Sequence, residues 1–248
     1  VAPQTQLTLQ GGSNNRYLGA NANLNIASNA TVNLNFSGTL ASFGTLLVDG
    51  VAQPPGVYGP PGSGAPHQLA QLTGSGTAQA LLPVAVSRKT HGGAGSFDIF
   101  LPLTGTPAIE CRSGGAGGNH QIVVTFLNTV TFNSASVTAG SGSVVSANAN
   151  GALITLNLTG VANQQTTTVT LFGVNDGTNM GNVAIPLSVL VGDTNGDGIV
   201  NSGDALQTRN RSGQATDPTN FRSDVNLDGI VNSGDTTVVR SRSGTSLP

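Results

Sequence analysis

The stretch Gly192–Asp204, GDTNGDGIVNSGD, returns almost unchanged thirty-one residues later as Ser223–Asp235, SDVNLDGIVNSGD. The chain has only 11 acidic residues among 248, and six of them fall in these two windows. Aligned, both copies read D-x-N-x-D-G-I-V-N-S-G-D. Oxygen-bearing side chains stand at positions 1, 3, 5, 9 and 12, with glycine at 6. That is the pattern of a twelve-residue calcium loop.

Each part of the pattern has a physical reason. Calcium takes about six to eight oxygens at about 2.3–2.6 Å. Short Asp and Asn side chains at alternate positions can reach inward from one tight turn. The candidate ligands are Asp193, Asn195, Asp197, the Ile199 carbonyl, Asn201 and Asp204 in the first loop. In the second they are Asp224, Asn226, Asp228, the Ile230 carbonyl, Asn232 and Asp235. Gly198 and Gly229 permit the sharp bend. The side chains of Ile199 and Ile230 are expected to pack inward. Two calcium ions are therefore expected. Without them, three carboxylates crowded on one turn repel each other, and so small a segment has little core to offset this. The segment is expected to fold only with calcium. One such loop could be an Asx-rich turn without metal; two copies with shared Arg-x-Arg-Ser-Gly tails argue against that.

Position 12 is Asp, where the usual EF-hand has Glu, and a β-strand rather than an amphipathic helix is expected before each loop. In both respects residues 192–244 resemble the dockerin type I module, which has two loop–helix units in place of full EF-hands. The expected helices are GDALQTRNRS and GDTTVVRSRS, each ending on glycine, Gly213 and Gly244. The resemblance implies docking on a β-sandwich partner, cohesin, through loop positions 10 and 11. Those positions are Ser202-Gly203 and Ser233-Gly234. The serines fit the family pattern and the glycines depart from it. Arg209, Arg211, Arg240 and Arg242 join them as candidate partner contacts, and the near two-fold repeat implies two binding orientations. A role inside the chain, with the module clamped on its own sandwich, is the alternative.

Working outward, residues 191–248 hold seven Asp and five Arg, whereas residues 1–83 hold only Arg16 and Asp49 as charged side chains. Charged residues are 8% of the chain, against about 25% in a typical soluble protein. Small polar and β-branched residues with many turn formers point to β structure. A net charge of −2 gives no electrostatic case for nucleic acid or an anionic membrane. No apolar run reaches the length of a membrane span. The single Cys111 excludes an intrachain disulfide. Met180 is the only methionine, so Val1 is expected to be a processed or truncated end.

Residues 1–83 are expected to form one β domain, a short solenoid or a sandwich. Leu24, Ile26, Val32, Leu34 and Phe36 alternate with Asn23, Asn25, Asn33 and Asn35, a period of two with one buried face. Asp49-Gly50 marks a hairpin. QPPGVYGPPGSGAP reads as a loop too rich in breakers for regular structure. TLLVDGVAQPPGVYG followed by LTGSGTAQALL resembles the end of the β-solenoid repeats of autotransporter-like surface proteins. Residues 84–190 carry nine short alternating runs, AVSRKTH, SFDIFLPL, PAIECRS, HQIVVTFL, ASVTAG, SVVSANA, ALITLNLTG, TTTVTLFGV and VAIPLSVLV. They are expected to form an immunoglobulin-like sandwich.

No catalytic constellation stands out. Cys111 with His120 could suggest a thiol and a base, but a lone Cys in a strand is more often a small buried side chain. His67 and His91 have no metal-ligand partner nearby in the sequence. The absence of Trp disfavours a sugar-stacking module. The whole reads as a secreted bacterial, non-enzymatic structural or assembly protein, extracellular or at the cell surface. It is expected to build a fibre or surface layer as a homo-polymer, with TQLTLQ free to add to a neighbour's sheet. The alternatives are an anchoring module tethered to a cohesin scaffold and an appendage of a larger enzyme.

Overall fold

Alternation of asparagine with aliphatic side chains builds the first of two units. The computed structural model describes residues 6–10, 22–37, 41–177 and 180–248. This unit comprises residues 1–84 with 125–130 and 176–179. Its strands are β1 (Gln6–Gln10), β2 (Asn23–Ile26), β3 (Thr31–Asn35), β4 (Ala41–Phe43) and β5 (Thr45–Val48), then β6 (Val51–Ala52), β7 (Gly56–Gly59), β8 (His67–Gln68), β9 (Leu72–Gly74) and β10 (Ala78–Ala80). They form three small sheets, ordered β1-β3-β9, β2-β5-β6 and β4-β10-β7-β8. Leu24, Ile26, Val32, Leu34 and Phe36 are all buried in one core with Phe43, Leu46, Tyr58 and Leu72. A one-residue slip would turn that whole face to water.

Asp49 and Gly50 take positive φ of 52° and 77°, the two-residue turn that joins β5 to antiparallel β6. Asp49 Oδ1 also accepts the Ser28 N–H at 2.6 Å. The Pro/Gly segment departs from expectation, because Gly56–Gly59 is a strand antiparallel to β10. Tyr58 explains it. Its ring is buried, and its hydroxyl donates to the Pro54 carbonyl at 2.5 Å. A Cβ on Gly56 would lie 2.8 Å from the His67 ring, so this glycine serves close packing rather than a free loop. The solenoid expectation is also corrected. Parallel pairing is present, as in β1–β3 and β2–β5. Antiparallel β6 and β7 interrupt any repeat, however, and no closed barrel or solenoid forms among the described residues. Gln6–Gln10 of TQLTLQ pairs with β3 inside this unit, while Thr5, Arg16 and Tyr17 lie outside the described residues.

The second unit comprises residues 85–124, 131–175 and 180–248. All nine expected strands form: β11 (Val84–Thr90), β12 (Ser96–Leu101), β13 (Ile109–Glu110), β14 (His120–Thr125), β15 (Ser134–Ala139), β16 (Ser143–Asn150), β17 (Leu153–Thr159), β18 (Gln165–Asn175) and β19 (Met180–Val189). They make a five-stranded sheet, β12-β11-β14-β17-β16, and a four-stranded sheet, β13-β19-β18-β15. Alternation decides the buried faces: Ile154, Leu156 and Leu158 on β17, Val169 and Leu171 on β18, Ile185 and Leu187 on β19. PAIECRS contributes two ladder residues, Ile109 and Glu110, which pair with Ser188 and Val189 of β19. No helix among the described residues is long and apolar enough to cross a membrane.

Candidate metal centre

Beyond β19 the chain builds two similar halves. The first loop leads into α1 (Ser202–Asn210) and then β20 (Gln214–Ala215). The second loop contains β21 (Ile230–Val231) and leads into α2 (Ser233–Ser241). Asn201 and Asn232 cap the helices, each accepting from the glycine two residues on at 2.6 Å. Asp204 and Asp235 reach back to the backbone N–H of the same asparagines at 2.9 Å. Loop positions 9 and 12 are thus also the capping box of the helix that follows. The helices stop at Asn210 and Ser241. That is two residues short of the expected ends, so Gly213 and Gly244, with φ of 88° and 90°, stand three residues beyond the last helical residue. A 3-10 turn, Phe221–Ser223, precedes the second loop in place of the expected strand.

The halves exchange strands. Ile230 of the second loop pairs with Ala215 behind α1, and Ile199 of the first loop pairs with Ser246 behind α2. Their flanks repeat the exchange: Gly213 donates to Val231 and Gly244 donates to Val200, both at 2.8 Å. This pairing corrects one expectation. Val200 and Val231 are fully buried, while Ile199 and Ile230 are half exposed. In an extended segment neighbouring side chains face opposite ways, so valine takes the inner face and isoleucine the outer.

The carboxylates converge as a cation requires. One oxygen from each of Asp193, Asp197 and Asp204 lies within 4.8 Å of the others, and so it is for Asp224, Asp228 and Asp235. Oxygens on opposite sides of an ion at about 2.4 Å stand about 4.8 Å apart, so the donor set fits calcium. Backbone donors hold the acids in place. Asp193 accepts from Gly196, Asp197 and Gly198 at 2.8, 3.1 and 2.9 Å. Asp204 Oδ1 accepts from Thr194 and Asn195 at 2.8 and 3.1 Å. Asn195 and Asn226 turn their amide nitrogens to Asp197 and Asp228 at 2.9 Å. Asn201 and Asn232 aim theirs at the Ile199 and Ile230 carbonyls at 3.4 and 3.2 Å. Their amide oxygens accept loop N–H groups: Asn195 and Asn226 from Asp197 and Asp228 at 3.0 and 2.9 Å, Asn201 and Asn232 from Gly203 and Gly234 at 2.6 Å.

The electrostatics agree with three acids sharing one turn. Burial first, and Asp204 nearby, raise the pKa of Asp193 against the pull of the loop N–H groups. Burial, with Asp224 and Asp228, raises Asp235 in the same way. Asp224 goes the other way. Burial opposes its ionisation, but hydrogen bonds from His91, Thr216 and Gly229 together lower its pKa.

The candidate partner contacts divide. Ser202, Gly203, Arg209 and Arg240 line one groove of about 470 Å³ with Ala205 and Leu206. Ser233, Gly234 and Arg242 are exposed elsewhere on the second half. Arg211 is turned inward, its Nη1 donating to Ser223 Oγ at 3.1 Å.

The sequence hid a set of contacts inside the second unit. His91 Nδ1 lies 2.9 Å from Asp224 Oδ2, with both side chains fully buried. Ser113 N–H donates to the Val225 carbonyl at 2.9 Å. Arg222 donates to the carbonyls of Thr194, Asp193 and Ile109 at 3.1–3.3 Å. Phe221 stacks on Phe97, with centroids 5.5 Å apart, and Arg112 lies over the same ring. His91 and Asp224 are 133 positions apart, and Arg222 and Ile109 are 113 apart, so no local pattern announces these contacts. Cys111 and His120 are buried too. The thiol donates to the Arg222 carbonyl, and burial pushes its pKa up to about 11.

Residues 191–242 match the family model of the dockerin type I domain, roughly a fifth of the chain. No curated protein and no solved structure matches the chain. The autotransporter-like resemblance of the first unit therefore finds no support in either architecture or comparison.

Proposed function

We propose that the chain uses its C-terminal module as a calcium-dependent attachment device for a cohesin-type β-sandwich. It would hold a non-catalytic, extracellular β-rich body on a scaffold or surface. One observation carries the reading: each of two dockerin-type loops gathers three carboxylates within 4.8 Å, at the start of a capped helix. Two calcium ions would be held by Asp193, Asn195, Asp197, the Ile199 carbonyl, Asn201 and Asp204, and by the matching set from Asp224 to Asp235. The ions would neutralise the acids and so set the helices for docking.

The recognition surface we assign is the exposed start of each helix, Ser202-Gly203 and Ser233-Gly234, with Arg209, Arg240 and Arg242. Arg211 is left out because Ser223 already holds it. Burial of the Cys111 thiol argues against a thiol nucleophile there, since a reactive cysteine needs access and a lowered pKa. The self-assembled fibre expected from the sequence has no observation behind it.

The test is calorimetric titration of the chain with a panel of cohesin domains, in calcium and then in chelator, beside sedimentation of the chain alone. Binding seen only in calcium supports the proposal. A calcium-loaded chain that binds no cohesin but sediments as a polymer would replace it with self-assembly.

A further inference from the structure

The two loops share a pattern but not their surroundings. In the first, the Asp193 carboxylate accepts, among the described residues, only from the loop's own backbone. In the second, Asp224 Oδ1 accepts one N–H, from Asp228 at 3.1 Å. Its Oδ2 accepts three donors: Gly229 N–H at 2.9 Å, Thr216 Oγ1 at 2.8 Å and His91 Nδ1 at 2.9 Å. The residue thirty-one positions after Thr216 is Leu247, which has no such donor. His91 comes from the turn between β11 and β12, 133 positions before Asp224.

The tautomer of His91 follows from its other side. Arg112 Nη1 stands 3.2 Å from His91 Nε2. A guanidinium only donates, so Nε2 is the acceptor and the hydrogen sits on Nδ1, facing Asp224. Arg112 cannot swing away. It forks on Glu110 at 2.7 Å through Nε and Nη2 and donates to the Phe97 and Ser87 carbonyls at 2.8 and 3.0 Å. A fixed chain of donors therefore runs from Arg112 through His91 to Asp224, anchored on Glu110 within the sandwich. It occupies Oδ2 and leaves Oδ1 as the oxygen with spare capacity.

We propose that His91 is a positioning residue of the second calcium loop. It orients the Asp224 carboxylate from outside, so that this loop and the β11–β12 turn make one binding unit. The first loop, lacking that support, binds calcium independently and with a different affinity. The proposal rests on the calcium-loop reading above. Partners of this kind fix a ligand's orientation, and their loss typically weakens metal binding by about 10–100-fold.

The experiment is calcium titration of the full chain by calorimetry, with Asp193→Asn and Asp224→Asn assigning the two sites. His91→Ala is expected to weaken the site that Asp224→Asn removes by about 10–100-fold, and to leave the other unchanged. His91→Asn, which keeps a donor at the δ position, is expected to restore most of the loss even if the alanine variant fails to fold. Equal weakening of both sites, no change at either, or an asparagine variant that folds but binds no better than alanine overturns the proposal. A wild-type chain that binds no calcium at all overturns the calcium reading itself, and is read before any variant.

Discussion

Gly92 and Asp228 meet with no room for a side chain between them. A Cβ on Gly92 would lie 2.3 Å from the Asp228 carbonyl oxygen, and Gly92 has φ of 49°. The approach is mutual, since a Cβ on Gly229 would lie 2.9 Å from the His91 carbonyl oxygen. Turn and loop thus fit only as bare backbone. Gly92→Ala is expected to lower stability by about 1–3 kcal/mol, read as the shift in the denaturant midpoint. An unchanged midpoint would mean that the contact is dispensable.

The Glu110–Arg112 pair is fully buried, and breaking one side of such a pair leaves the other charge stranded. Arg112→Met is expected to destabilise by about 3–5 kcal/mol. The double variant Glu110→Leu/Arg112→Met is expected to recover much of that loss. A double-mutant cycle in urea measures the coupling, and additive losses would contradict it.

Acid is expected to act in two steps of the same sign. Burial first, then Lys89, pushes the His120 pKa down to about 4 from 6.5. As pH falls through that window the unfolded chain takes a proton that the folded chain refuses, so stability drops. Burial resists ionisation of Glu110, yet Arg112 holds its pKa down at about 2 against 4.5. Stability therefore drops again from about pH 4.5 towards 2. His120→Gln is expected to flatten the upper step and spare the lower in a series of urea melts. A curve unchanged from wild type would remove His120 from the account.

Chelation is expected to abolish the helical circular dichroism of α1 and α2 while the strand signal persists, because the clustered carboxylates lie in the loops that cap these two helices. Asp204→Ala and Asp235→Ala each remove a candidate ligand and a helix cap together. Each is expected to mimic partial chelation even in excess calcium. Helices that survive a chelator would show that hydrogen bonding suffices to hold the loops.

The legible parts of this chain are those encoded by neighbours. Leu24 to Phe36 and the nine later strands announce themselves by period two, and the two loops by ligand spacing. The illegible parts depend on distant partners. Gly56–Gly59 read as a breaker segment because the burial of Tyr58 and the press of His67 cannot be seen locally. Ile199 and Val200 exchanged faces because the loop gains a partner strand from beyond α2. His91 stood in a glycine-rich turn with nothing beside it, and its partner Asp224 was identified only as a ligand. Local spacing defined what the loops could hold; tertiary packing defined what holds the loops.

The reciprocal strand pairing has a consequence for inheritance. Each half leaves an extended segment, Ala215 or Ser246, that only the other half can cover. A single loop–helix unit cut from this chain would lack its partner strand and leave open main-chain groups behind its own helix. Loss of either copy is therefore expected to weaken the other, whatever the ligands it keeps.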